Sequence, residues 1–159
     1  MRHSAITVLW FGPTHSSLRA SLIEYLIPID INLILFSTEE QLWHWLNTNY
    51  TVKIASLVIE TNTNTQNILL RCQVYRNIRS ILVRCRTNEL ISLQRFSRSH
   101  INIDGVYADD IRVLIRLVID LALVSEELGD EEREDKNNEP EAQRHYDRAL
   151  KLCALARRL

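Results

Sequence analysis

The chain has 159 residues, of which 46% are apolar, and its formal net charge is −1. That length fits one domain with an appendage, and the apolar fraction is sufficient for a buried core. The near-balanced charge excludes a global field that would select a polyanion.

"ITVLWF", Ile6 to Phe11, is a short apolar run stopped by Gly12-Pro13 and predicts a buried strand. Ser16 or Ser17 is placed to cap a helix over "SLRASLIEYLI", with Leu18, Leu22, Ile23 and Leu26 on one face and Pro28 at its end. "INLILF", Ile31 to Phe36, predicts a second strand. Thr38 and Gln41 then have capping-box spacing, and Glu39 and Glu40 suit the positive end of a helix facing inward through Leu42, Trp45 and Leu46.

A third strand is predicted at Ile54 to Ile59, with Glu60 at its carboxyl end. Helical spacing follows from Gln66 to Arg76, with Ile68, Leu69, Cys72 and either Val74 or Tyr75 inward. "SILVRC", Ser80 to Cys85, predicts the fourth strand. Thr87 caps a helix over Asn88 to Ser99, with Leu90, Leu93 and Phe96 inward. Ile103 to Ala108 predicts the fifth strand, and Asp109 caps a long helix to about Leu128.

Strict alternation of strands and helices implies α/β: a five-stranded parallel sheet with helices on both faces. The nearly continuous apolar strands agree, because such strands are buried on both sides. Five strands favour the flavodoxin-like order 2-1-3-4-5. The polar run "GDEEREDKNN" then predicts a flexible charged linker, residues 129–139, after an α/β domain over 1–128. Residues 140–159 predict an amphipathic helix opened by Pro140, with Ala142, Tyr146, Ala149, Leu150, Cys153 and Ala156 on one face. A lone helix of this kind needs a partner surface.

Three stretches resemble a response-regulator receiver domain: "NLILFSTEEQLWHWL", "SLVIE" and "DGVYADDIRVLIRLVIDLAL". Together they cover most of residues 4–128. "RNIRSILVRCRTNELISLQRF" and "INIDGVYADDIRVLIRLV" are similar to the receiver-like N-terminal domain of certain invertebrate multidomain proteins. There it precedes tetratricopeptide repeats or a mono-ADP-ribosyltransferase domain. "HYDRALKL" is similar to the second helix of a tetratricopeptide repeat. The resemblance implies that Glu60 occupies the phosphoacceptor position. It also implies what departs. The first strand ends in Phe11, Gly12 and Pro13 without an acid, and Cys85 stands at the hydroxyl position with Thr87 two residues on. The fifth strand ends in Tyr107, Ala108 and Asp109 without a Lys. One carboxylate is a thin Mg²⁺ site, and no cation replaces the missing Lys.

Glu60 is therefore expected to pair with Arg84 or Arg86 near the end of the adjacent strand. In the loop "GPTHSS", His15, Ser16 and Ser17 could hold an anion at a helix N-terminus, but neither nucleotide-binding glycine pattern is present and helix capping is the favoured role. The five His have no ligand spacing, so no metal and no cofactor is expected. Cys72, Cys85 and Cys153 are odd in number and widely spaced, and predict reduced thiols in a cytoplasmic protein. No signal-peptide pattern is visible at the N-terminus. The most apolar segment, Ile111 to Val124, is broken by Arg112, Arg116 and Asp120, so no membrane span is expected. Residues 71–100 carry seven Arg against Glu89 alone, but they are spread over three elements without a nucleic-acid motif.

The long last helix has a core stripe of Ile111, Leu114, Ile115, Val118, Leu121 and Ala122. Val113, Leu117 and Val124 form a second apolar stripe, offered with Tyr146 and Leu150 as an interaction face for the tail or another subunit. The leading expectation is a non-catalytic, receiver-like regulatory module that binds a protein partner or forms a homodimer through the last helix and tail. The alternative is a small-ligand or nucleotide-handling α/β enzyme using the cleft around Glu60. A nucleotide-consuming TIR-like domain shares the alternation, with no signature in this chain.

Overall fold

A computed structural model describes residues 5–60 and 63–159. Five parallel strands form one sheet: β1 (Ile6–Phe11), β2 (Ile31–Phe36), β3 (Ile54–Glu60), β4 (Ile81–Arg84) and β5 (Ile103–Tyr107), in the order β2-β1-β3-β4-β5. The helices are α1 (Ser17–Leu26), α2 (Glu39–Thr48), α3 (Thr65–Cys72), α4 (Leu90–Ser97), α5 (Asp110–Glu134) and α6 (Glu139–Arg158). Both the expected class and the expected strand order are present.

Alternation along each strand divides the core in two. Leu9, Phe11, Leu57 and Ile59 face α2, α3 and α4. Val8, Trp10, Val58 and Leu82 face α1 and α5. Side chains of successive strand residues point to opposite faces, which is why a continuous apolar run is required here. Three of the expected caps form, whereas Thr87 makes no capping bond and opens a short 3-10 turn, Thr87–Glu89, ahead of α4. Ser16 Oγ accepts from the Arg19 N–H at 3.0 Å, Thr38 Oγ1 from Gln41 and Asp109 Oδ1 from Arg112. Gln41 returns its side chain to the N–H of Ser37 rather than that of Thr38.

Helix α5 departs from expectation. It runs for 25 residues, through 129–134, so the stretch read as a flexible linker is largely helix. Only residues 135–138 separate it from α6. The charged run from Gly129 carries no apolar periodicity and so read as linker; Gly129 lies inside the helix, where a Cβ would stand 2.7 Å from the Tyr146 ring. Helix α6 returns antiparallel along α5. The pairs Arg133–Glu139, Asp130–Tyr146 and Ser125–Arg148 fix that register.

The inward faces are also rotated from those expected. On α5, Val113 and Leu117 are fully buried and belong to the core with Leu114, Val118, Leu121 and Ala122, whereas Ile111 is exposed. On α6, His145, Arg148, Leu152 and Leu155 are buried with Ala142 and Ala149, whereas Leu150 and Cys153 face outward. Leu152 and Leu155 join the same core cluster as Val8 and Leu18. The tail is thus part of the domain's packing.

Two polar groups lie inside this seam. Arg148, 6% exposed, donates from Nε to Ser125 Oγ at 2.9 Å and from Nη2 to His145 Nδ1. Burial, and then the Arg148 charge, lowers the His145 pKa. Neutral His145 leaves Nδ1 free to accept from the guanidinium.

Beside the sheet edge, Arg116 holds Asp104 through two bonds of 2.8 Å and approaches Asp120 at 3.5 Å. Burial first, and then Asp104, pushes the Asp120 pKa up to about 7. A raised folded-state pKa adds stability at low pH that is lost as pH rises through the folded value. Asp120→Asn removes that loss, so its stability relative to the parent should improve as pH rises toward 7 and level off above it; parallel urea-stability curves from pH 5 to 8 would contradict the raised Asp120 pKa. Leu152→Ala should cost about 2–5 kcal/mol in urea unfolding, as for other buried leucines. An unchanged midpoint would mean α6 contributes nothing to the core.

Candidate functional site

The carboxyl ends of β1, β3 and β4 surround a cleft of about 330 Å³ lined by Phe11, Gly12, Glu60, Arg84, Cys85 and Arg86, among others. It lies where β1 neighbours both β2 and β3, the point at which the chain's winding reverses and where open α/β sheets place ligands. Gly12 lets the chain pass this point. A Cβ there would sit 2.8 Å from the Glu60 carbonyl oxygen and 2.6 Å from the Trp10 ring.

Glu60 and Arg84 are direct cross-strand neighbours on β3 and β4. They do not form the expected ion pair. Glu60 Oε2 instead accepts from the Ser16 hydroxyl. Ser16 Oγ also accepts from the Arg19 N–H, so the first turn of α1 fixes the hydroxyl that holds Glu60. Arg84 turns to α5, where its Nε donates to Asp110 Oδ1 at 2.8 Å and its Nη1 to the Cys85 carbonyl. Asp110 also accepts from Ser17 Oγ at 2.5 Å. Arg86 is exposed at the cleft rim, and neither arginine lies within ion-pair distance of Glu60.

The physical reason is helix placement. The first residue of α5 brings Asp110 to the end of β4, and α1 brings Ser16 to the end of β3. Each takes one member of the expected pair. Sequence reasoning named Ser16 as a cap, or with its loop as an anion-binding group, but not as a partner of Glu60, and did not name Asp110; "ADD", residues 108–110, carries a second acid after the capping Asp109, and that was the available signal.

The Glu60 pKa is raised. Burial is the main cause, and Asp110 adds to it; the Ser16 hydrogen bond and Arg84 oppose it. The Trp10 indole acts weakly in the same lowering direction, though Trp10 Nε1 is buried without a partner in hydrogen-bonding geometry. The arrangement engages the carboxyl through one hydrogen bond, and its burial makes it harder to ionise than a free glutamate. Both changes work against a phosphoacceptor or a metal ligand, since both act as carboxylates. Cys72 is buried and its thiol is pushed up to about 12, while burial also raises Cys85. Neither is set up as a nucleophile. Among the described residues no group of three or more His, Cys, Asp or Glu is placed to hold a metal ion, and no helix is long and apolar enough to cross a membrane.

The arginine-rich stretch is dispersed. Arg71 stacks over Trp43, Arg79 binds Glu127 and Arg84 binds Asp110. The expected interaction face divides likewise: Val113 and Leu117 are core, Val124 is half-buried against it, and Tyr146 packs over Gly129. Leu150 alone of that set is fully available, at 68% exposure.

Ser16→Ala removes both the cap and the Glu60 donor. It should cost about 1 kcal/mol, the usual value of such a cap. It should also raise the Glu60 pKa further in a ¹³C carboxyl titration. An unmoved Glu60 titration would contradict the Ser16 bond. No family model, curated protein or solved structure matches the chain.

Proposed function

We propose that this chain is a non-catalytic, receiver-like regulatory module that works by protein–protein interaction. The observation that carries this is the setting of Glu60: half-buried, already hydrogen-bonded by Ser16, and with its pKa raised by burial. It stands at the phosphoacceptor position that the resemblance implies. A carboxyl held this way is a poor nucleophile for phosphoryl transfer and a poor Mg²⁺ ligand.

The surroundings support the same reading. Arg84 is engaged by Asp110 rather than turned toward the cleft as a lone cation. The loop after β1 supplies Gly12 and Pro13 where a receiver has acids, and β5 is followed by Ala108 and Asp109 where it has Lys. The module's surface of action is then the α5–α6 side, where apolar side chains are exposed. Its setting is the cytoplasm, in keeping with reduced thiols at Cys72, Cys85 and Cys153.

The competing reading is a small-ligand or nucleotide-handling enzyme, and it rests on the cleft itself, with Glu60 and Arg86 on its lining. A thermal-shift series with nucleotides, Mg²⁺ and a beryllofluoride phosphoryl mimic separates the two. The expected result is no shift in midpoint for the parent or for Glu60→Gln. A saturable shift in the parent that Glu60→Gln abolishes would overturn the non-catalytic reading.

Glu60→Gln also has a pH signature. The raised folded-state pKa means that ionising Glu60 costs stability as pH rises through it. The variant should therefore match the parent at pH 4 and gain on it toward pH 7 in urea melts. The opposite sign would place Glu60 in a stabilising ion pair after all.

A further inference from the structure

The seam between α5 and α6 encloses a titratable side chain that the reading of the cleft does not use. His145 is 1% exposed, on the inward face of α6 one turn before Arg148. Its Nδ1 stands 2.5 Å from Arg148 Nη2. A guanidinium has only donors, so Nδ1 must accept, and the one proton of the ring sits on Nε2. The geometry therefore suits the neutral ring alone. Nε2 is itself buried without a hydrogen-bond partner, with Glu141 Oε1 3.9 Å away.

The charges around the ring come from three elements. On α6, Arg144 and Glu141 act on it together with Arg148, and α5 contributes the buried Glu132. The turn before β2 contributes Asp30, 4.0 Å from Arg148 Nη1. These acids are already engaged by cations. Glu132 takes Lys136 at 3.3 Å, Glu141 takes Arg144 at 3.1 Å, and Asp30 takes the same guanidinium at 2.5 Å. A second ring proton would enter at Nδ1, the atom facing Arg148, and not at the atom facing Glu141. It would set one N–H against another and one cation against another, away from solvent. Arg148 is held from across the seam, since its Nε donates to Ser125 at 2.9 Å. Burial first, and then Arg148, lowers the His145 pKa; Arg144 acts in the same direction, and Glu141 and Glu132 oppose it.

We infer that this pair makes α6 an acid-releasable strap: a proton on His145 favours the conformation in which α6 has lifted from α5 and both cations reach water. Both residues lie on α6, so lifting does not part them. It lets each turn to solvent, which the closed seam forbids. Release uncovers Leu152 and Leu155, which share a core cluster with Val8 and Leu18. The device goes beyond the reading of Glu60 and does not depend on it. Its sign follows from linkage. Above the ordinary value near 6.5, His145 is neutral whether α6 is docked or released. Below that value the released helix takes up a proton that the docked one refuses. Docking then weakens by about tenfold per pH unit until the docked ring itself titrates.

Native-state amide exchange of the full chain at pH 7.5 and 5.5, with the His145 ring followed by NMR, tests this. The opening constant of α6 amides from Ala149 to Leu155 should rise about tenfold at the lower pH, after correction for intrinsic exchange. That of β1 and β3 should rise less. Acid favours Asp120 in its buried setting, where its pKa is pushed up to about 7, and only complete unfolding gives that up. His145→Asn keeps an acceptor near the Nδ1 position and does not titrate, so its α6 opening should stay flat. Asp120 is common to both proteins, and the difference between them isolates His145. An equal rise in parent and variant overturns the inference. If the variant misfolds, the parent alone decides. A His145 midpoint at or above about 6.5 would show that the docked seam accepts the imidazolium, and overturns it. So does a lower midpoint with α6 exchange unchanged, because Arg148 would then have turned to Asp30 without release. None of these outcomes touches the non-catalytic reading, which ligand response at Glu60 decides.

Discussion

Helix α5 must bury two faces at once, and most of the structure follows from how it does so. Its first half lies on β3 and β4 through Val113, Leu117 and Leu121. A second face, through Ser125 and Gly129, meets α6. At 25 residues α5 is about 37 Å long, roughly twice the span of a five-residue strand, so its distal half leaves the sheet. An apolar face projecting into water would be unfavourable. Helix α6 covers it, and the seam is specific as well as apolar. Arg148 finds Ser125 and His145 inside it, and replacing either would leave a buried guanidinium short of partners.

The same helix sets the character of the sheet's carboxyl edge. Its first residue, Asp110, takes Arg84 away from Glu60. Glu60 is left to Ser16 and to burial, both consequences of α1 sitting on the same side of the sheet as α5. The acid at the most function-prone point of the fold is thereby tied into the architecture. One element engages Arg84 beside the cleft at its N-terminus and builds an exposed helical surface at its C-terminus.

Much of this was legible in the sequence. The strands are short apolar runs ended by Gly, Pro or a charge, and their alternation with capped helices gave the parallel sheet and its order. Ser16, Thr38 and Asp109 were readable because a cap is a local device. What was not legible was long-range. The run from Gly129 looked like a linker because nothing local shows that Tyr146 packs on Gly129 from the next helix. The faces of α5 and α6 were misphased because each carries apolar residues on more than one side; Ile111 and Leu150 lost the competition for the core to Val113 and Leu152. Arg148 and His145 were not assigned to the inward face of α6, since burial of a cation depends on partners from elsewhere in the chain. The Glu60 pairing failed for the same reason: strand adjacency placed Arg84 correctly, but Asp110 reached it from outside the sheet.

The central claim is that α6 belongs to one cooperative unit with the sheet. Native-state hydrogen exchange measures this residue by residue. The amides of α6 from Ala149 to Leu155 should exchange with the same opening free energy as those of β1 and β3, and both should shift together under mild denaturant. Fast, denaturant-independent exchange in α6 beside a protected sheet would contradict it.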